Sequence, residues 1–300
     1  MTPFNFHSTA QEVTEGLDLS GQTFVVTGSN SGLGKESIRV LAMRGANIIA
    51  CARTIEKAQS AMDELGISGT PIACDLADLH SVSQAIKAIH AINTPIQCII
   101  ANAGIMALPT LQQVQGIELQ FFTNHVGHFH FVTGLTDLLT DNGRVVVLSS
   151  RAHAYARPQG LELDNLSGER DYHDWRMYGR SKLANILFAK SLNQRFQGTN
   201  RRANSVHPGV IKTNLGRYVP DREAMYAQIQ KTIPLKTISE GTATQCLVAT
   251  HPALEGIGGE YFSDCQIATP LPQGLDMDLA EQLWTVTEAI IAKVLALKST

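Results

Sequence analysis

The apolar run Thr23-Phe24-Val25-Val26 stops at Thr27-Gly28-Ser29-Asn30-Ser31-Gly32-Leu33-Gly34, and a helical pattern follows through Ile38, Leu41 and Ala42. A second apolar run, Asn47-Ile48-Ile49-Ala50-Cys51-Ala52, closes a strand–turn–helix–strand unit of ordinary length. Parallel strands joined through a helix need a sheet covered on both faces, so this unit restricts the whole fold. Its glycines have separable uses: Gly28 for the tight turn, Gly32 for close backbone approach to a pyrophosphate, and Gly34 for packing helix on strand. The helix start adds free N–H groups and the positive end of a dipole. The turn Gly28, Ser29, Asn30, Ser31, Gly32, Leu33 and Gly34 is therefore expected to bind a dinucleotide.

Apolar runs with intervening helical patterns recur from Thr23 to Val206, which predicts an α/β fold of the Rossmann type, a doubly wound parallel sheet with helices on both faces. No linker interrupts the pattern, and 300 residues with 44% hydrophobic content can build one large core. We expect a single domain: an extension over 1–20, a dinucleotide-binding and catalytic core over 21–206, and a substrate lid with the C-terminal region over 207–300. A strand is predicted at Arg144–Ser149, bounded by Asn142-Gly143. At the end of the second strand an acidic residue would bind the adenosine ribose, whereas an arginine accepts a 2′-phosphate. This chain has Ala52 and then Arg53. That predicts NADP(H), with Arg53 as a bidentate phosphate partner; a solvated surface arginine is the alternative.

Tyr178-Gly179-Arg180-Ser181-Lys182 places a phenol and an ammonium four residues apart in a helical pattern, on one face. A nearby cation favours the phenolate, so Lys182 is expected to lower the Tyr178 pKa from its reference of about 10. The pair would then be a proton donor for a carbonyl oxygen. Alone, such a spacing is common on helix surfaces; following the glycine turn, it acquires a cofactor to work with.

With these motifs the chain resembles the short-chain dehydrogenase/reductase family over nearly its whole length. Asn102-Ala103-Gly104, after the run Cys98-Ile99-Ile100-Ala101, is similar to the family's segment that supports the sheet and lines the cofactor. Asp75-Leu76 resembles its adenine contact. Pro208-Gly209-Val210 with Thr213 resembles the segment that closes over the nicotinamide. Asn124-His125-Val126-Gly127-His128-Phe129 is similar to the helix carrying the catalytic asparagine, and Val145-Val146-Val147-Leu148-Ser149-Ser150 to the strand ending in the catalytic serine. The resemblance implies that Asn124 positions a water joining Lys182 to solvent, and that Lys182 also holds the nicotinamide ribose. It further implies that Ser150, with Ser149 as the alternative, orients the carbonyl. The patterns Ser181-Lys182-Leu183-Ala184-Asn185, Tyr261-Phe262-Ser263-Asp264-Cys265 and Leu279-Ala280-Glu281-Gln282-Leu283-Trp284 resemble the branch of retinol dehydrogenases and WW-domain oxidoreductases. The insert Arg151–Arg176 is a trait of the same branch.

The implied activity is interconversion of a carbonyl and an alcohol on a lipophilic substrate, since the lid segment Asn214–Leu235 carries Leu215, Tyr218, Val219, Met225, Tyr226 and Ile229. Packing of the lid on the core or a subunit interface is the alternative use of those side chains, and a homodimer or homotetramer is compatible with it. A sensor that binds NADPH without turnover, and a reductase of activated C=C bonds, are the rival functions. A net charge of -3 without a long basic run predicts no nucleic-acid partner, and Arg201-Arg202 reads as a solvated turn. The five cysteines, Cys51, Cys74, Cys98, Cys246 and Cys265, form no Cys-x-x-Cys pair, which predicts reduced, packed thiols. His125, His128 and His130 do not converge on one helix face, so no metal site is expected. No apolar stretch is long enough to span a membrane, and Met1–Ser20 is too polar for a signal peptide. The expectation is a cytoplasmic enzyme.

Overall fold

Alternate residues of the strand that precedes the glycine turn face opposite ways, and both faces are covered: Val25 lies in one hydrophobic cluster, Phe24 and Val26 in another. The computed structural model describes residues 2–156 and 160–297. In chain order the first half comprises α1 (Ala10–Val13), β1 (Thr23–Thr27), α2 (Gly32–Met43), β2 (Asn47–Ala52), α3 (Ile55–Leu65), β3 (Thr70–Ala73), α4 (Leu79–Ile92) and β4 (Ile96–Ala101). A hairpin of β5 (Gln113–Val114) and β6 (Ile117–Glu118) leads into α5 (Leu119–Phe121), a π-helical stretch at Phe122–Val126, and α6 (Gly127–Thr133). Then follow β7 (Leu139–Leu148), α7 (Asp174–Arg195), β8 (Arg202–His207), α8 (Arg222–Gln230), α9 (Ile238–Thr250), β9 (Tyr261–Ser263), β10 (Gln266–Ala268) and α10 (Met277–Ala296).

The main sheet runs β3-β2-β1-β4-β7-β8-β9-β10, and only the β9–β10 pair is antiparallel. Val25, Ile49, Ile99, Val145 and Val147 pack under side chains of α4, α6, α7 and α10. Phe24, Val26, Ile48, Ile100, Val146 and Val206 pack under α1, α2, α3 and α9. This is the doubly wound arrangement read from the sequence. Strand order reverses between β1 and β4, and the crevice outside their carboxyl ends is where such sheets bind ligands. Thr27 and Asn102 meet there.

Three sequence readings are corrected. The strand predicted at Arg144–Ser149 begins at Leu139 and ends at Leu148, passing through Asn142-Gly143 with a register shift against β4. Both serines therefore lie beyond the strand. The insert Arg151–Arg176 loses its last three residues to α7, and its residues 157–159 lie outside the described residues. Arg201 and Arg202 are no solvated turn: Arg201 donates to the carbonyls of Leu139 and Thr140, and Arg202 to that of Gly256. They satisfy carbonyls at the edge of the sheet, a role the sequence pattern does not reveal. The five cysteines are free and buried.

Burial also decides how the fold responds to acid. Desolvation lowers His125 to about 3, His128 to about 4 and His207 to about 3. The unfolded chain binds protons to these groups near pH 6.5, where the native state does not, so stability rises with pH across this window. We predict that lowering the pH from 6.5 to 4.5 reduces the thermal unfolding midpoint by on the order of 5–10 °C, as measured by calorimetry. A midpoint flat over that range would contradict neutral, buried imidazoles.

Candidate active site

The glycine turn has the geometry of a phosphate cradle. Gly28 and Gly32 hold φ of 67° and 53°, and a Cβ on Gly34 would stand 2.3 Å from the Gly28 carbonyl oxygen. Ser31 is the N-cap residue of α2, yet its side chain makes no capping hydrogen bond, so the first-turn N–H groups stay open. Ser29 is buried and bonds the Cys51 carbonyl through both its amide and its hydroxyl, fixing the turn to β2. Asn30 is exposed, and Leu33 is half-buried near Gly241.

Around this turn the structure gathers several of the segments singled out in the sequence, Asn102-Ala103 and Thr213 among them. Asn102 donates its side-chain amide to the Thr27 carbonyl at 2.8 Å, and the amides of Asn102 and Ala103 donate to the Thr27 hydroxyl at 2.9 and 3.1 Å. A Cβ on Gly104 would lie 3.2 Å from Asn124 Oδ1 and 3.7 Å from Lys182 Nζ, so only glycine leaves that corner clear. Thr213 lies over Gly32, 3.6 Å from where its Cβ would stand, while Gly209 of the preceding Pro208-Gly209-Val210 segment lies against the Lys236 side chain. Val210 is held there by the Lys236 amide at 2.9 Å. Asp75 caps its own loop by accepting from the Ala77 amide, with Leu76 buried against Gly127. Arg53 is exposed at the carboxyl end of β2, and among the described residues no hydrogen bond or ion pair engages its guanidinium. It is free to meet a ligand.

Tyr178 and Lys182 sit on α7, buried at 4% exposure each. Gly179 between them matters: a Cβ there would be 2.4 Å from the Ala152 carbonyl oxygen, and its absence lets the 3-10 turn Arg151–Tyr155 lie against the helix. That contact brings Ser150 to the phenol. The two serines thereby part company. Ser149 donates its hydroxyl to the Lys182 carbonyl at 2.7 Å and is spent on the fold. Ser150 accepts from the Ala152 amide at 3.1 Å, which leaves its own O–H as a donor.

Electrostatics reverse one expectation. Tyr178 is raised, not lowered: burial dominates, opposed by hydrogen bonding from Ser150. Lys182 has its ammonium 5.5 Å from the phenol ring centre and donates it to the Leu148 carbonyl at 3.1 Å. Burial brings Lys182 down to about 8. Loss of water from the phenolate outweighs the opposing hydrogen bond from Ser150, so Tyr178 rests protonated.

Asn124 belongs to the π-helical stretch, a local irregularity common at functional sites. Its side chain is largely occupied: Oδ1 accepts from the Ile105 amide at 2.9 Å, while Nδ2 donates to the Ile105 carbonyl and the Ser181 hydroxyl, each at 2.9 Å. The amide thus orders the loop after β4 against α7. The neighbouring histidines diverge. His125 meets Thr287 of α10 at 3.0 Å, His130 meets Ser83 of α4 at 2.8 Å, and His128 points at Thr27.

Of the lid residues, Leu215 and Val219 pack with Met106, Ala107, Ala152, Tyr178 and Trp175 into one apolar cluster. Tyr226 instead is buried with its hydroxyl on the Ile211 carbonyl, and Tyr218 is exposed. Sequence reasoning missed Met106, Trp175, Thr27 and Gln245, whose amide joins Ser37 at 2.6 Å. Trp175 was legible in principle, standing three residues before Tyr178 on the same helix face.

The comparisons with known proteins agree with this geometry. The sequence profile of the short chain dehydrogenase family matches residues 22–161. Short-chain dehydrogenase TIC 32 B, chloroplastic, of Brassica napus is 40% identical over 92% of this chain and 91% of its own. Human retinol dehydrogenase 14 is 34% identical over 91% of this chain and 87% of its own. A crystal structure of an uncharacterized protein from Mycobacterium paratuberculosis superposes with a TM-score of 0.74 at 29% identity, covering 93% of this chain and 97% of that one. The crevice beside the glycine turn, the Tyr178–Lys182 helix and relatives matched over about nine-tenths of both chains identify the chain as a short-chain dehydrogenase/reductase, an oxidoreductase of the retinol dehydrogenase-like branch.

Proposed function

We propose that this protein is an NADP(H)-dependent oxidoreductase that interconverts an aldehyde or ketone and its alcohol on a lipophilic substrate. The observation that carries the reading is the buried phenol of Tyr178, set between the hydroxyl of Ser150 and the ammonium of Lys182. Such a phenol donates to a carbonyl oxygen as negative charge develops there. Ser150, whose oxygen accepts from the Ala152 amide, directs its proton at the same oxygen and polarises the bond. Lys182 stabilises the phenolate left behind, with the two donors not used on Leu148 available to the cofactor's ribose. Asn124 holds the Ile105 loop and, through it, the space beside Gly104 where a water would join Lys182 to solvent.

The turn from Gly28 to Gly34, with Arg53 at its edge, suits a dinucleotide bearing a 2′-phosphate, and Asp75, Leu76, Asn102, Ala103, Gly104, Pro208, Gly209, Val210 and Thr213 would line it. Reduced nicotinamide, when bound, supplies the hydride for the carbonyl carbon. The apolar cluster of Met106, Trp175, Leu215 and Val219 beside Tyr178 supports a lipophilic substrate. Among the described residues no helix is long and apolar enough to cross a membrane. We propose the cytoplasm as its compartment; because the Brassica napus relative is called chloroplastic, cell fractionation is the direct test.

The test of function is NADPH oxidation against a panel of aldehydes, aryl and alkyl ketones, steroids and retinal, with an enone included. We expect turnover on at least one carbonyl and alcohol as its product. Tight NADPH binding with no turnover would establish a cofactor-binding protein instead, and a saturated ketone from the enone would establish C=C reduction.

A further inference from the structure

His128 is fully buried, and both of its ring nitrogens are engaged by groups of the site. Nδ1 lies 3.0 Å from the Asn124 carbonyl oxygen and Nε2 lies 2.8 Å from the Thr27 hydroxyl. A carbonyl only accepts, so the proton must sit on Nδ1. In a neutral ring Nε2 then only accepts, and the Thr27 hydroxyl must donate to it. Having donated, Thr27 Oγ1 keeps its lone pairs for the Asn102 and Ala103 amides, which donate at 2.9 and 3.1 Å. One directional chain of hydrogen bonds therefore runs from the Asn102-Ala103 amides through Thr27 and His128 to the backbone of Asn124. It satisfies every donor and acceptor along it.

The two ends of this chain are different parts of the site. At one end stand Thr27 and Asn102, which seat the glycine turn: the Asn102 side-chain amide would be 2.6 Å from a Cβ on Gly34. At the other end is the π-turn, whose Asn124 side chain orders Ile105 and reaches Ser181, next to Lys182. We propose that His128 is a positioning residue that ties the Asn124 turn of the catalytic side to the strand-end floor of the cofactor side. The proposal rests on the function put forward above and adds a residue to it. Burial supports the required state, since it lowers His128 to about 4, helped by the charge of Lys182. A second proton would place a donor against the Thr27 hydroxyl and break the chain. The neighbouring His125 and His130 instead bond to Thr287 of α10 and Ser83 of α4.

The two bonds can be removed separately. In His128→Asn the side-chain amide overlays Nδ1 and keeps a donor for Asn124, but it is too short for Thr27. In His128→Gln the longer side chain reaches Thr27 and gives up the Nδ1 donor. We expect His128→Asn to weaken NADPH binding about 3- to 10-fold, the size of one neutral hydrogen bond, with kcat nearly held. His128→Gln should show the converse, a fall in kcat of that size with NADPH affinity held. A merely structural histidine predicts no such split; both variants losing both quantities together, or neither changing, would overturn the tie. Should these variants fail to fold, Thr27→Val removes the hydroxyl at nearly constant volume and Thr27→Ser restores it. NADPH affinity lost in the first and recovered in the second is the expected result, and equal affinity in both overturns the proposal. Affinity for NADPH is read by direct titration, so a wild-type protein that binds NADPH but reduces no carbonyl defeats the proposed function while leaving this test in force.

Discussion

Replacing Tyr178 by phenylalanine is expected to reduce kcat/KM for the carbonyl substrate by about 10²- to 10⁴-fold, the usual range for loss of a general acid. The ring is buried within the cluster of Met106, Ala107 and Ala152, and phenylalanine preserves that packing. Affinity for NADPH and the unfolding midpoint should therefore hold, which separates loss of chemistry from loss of fold. Only the hydroxyl is removed, and with it the proton that burial keeps in place near neutral pH. Steady-state NADPH oxidation, with a parallel binding titration, is the measurement. Turnover near the wild-type level would mean that another group protonates the substrate, and the scheme for Ser150 and Lys182 would fall with it.

A second large effect is expected at Arg53. The guanidinium is exposed and unpaired among the described residues, so Arg53→Ala should leave stability unchanged. On the proposed NADP(H) reading it removes a charge-assisted contact with the 2′-phosphate, worth about 1.5–3 kcal/mol, so the preference for NADPH over NADH should fall about 10- to 100-fold. The loss should appear in the NADPH arm alone, because NADH lacks the phosphate. High salt should narrow the wild-type preference toward that of the variant, since an exposed contact is screened. An unchanged cofactor ratio would return Arg53 to the solvated surface.

Whatever in this protein depends on residues near one another in the chain was legible before any fold was known. The turn from Gly28 to Gly34 declares itself by glycine spacing, because glycine takes the positive φ at positions 28 and 32 without strain and the 2.3 Å approach at position 34 leaves no room for a Cβ. Alternating apolar runs specify the covered parallel sheet, and four-residue spacing specifies that Tyr178 and Lys182 share a face of α7. These are consequences of local backbone geometry.

Tertiary structure decided what depends on distant segments and on water. Ser149 and Ser150 are neighbours in sequence, and only the passage of the 151–155 turn over Gly179 turns one into the fold and the other toward the phenol. Three histidines in six residues looked alike as a string; packing against α10, Thr27 and α4 gave each a separate partner. The raised pKa of Tyr178 has the same origin. A motif reports which charges are near, whereas desolvation depends on how much of the surrounding chain has closed over the group, and here it outweighs the Ser150 hydrogen bond that opposes it.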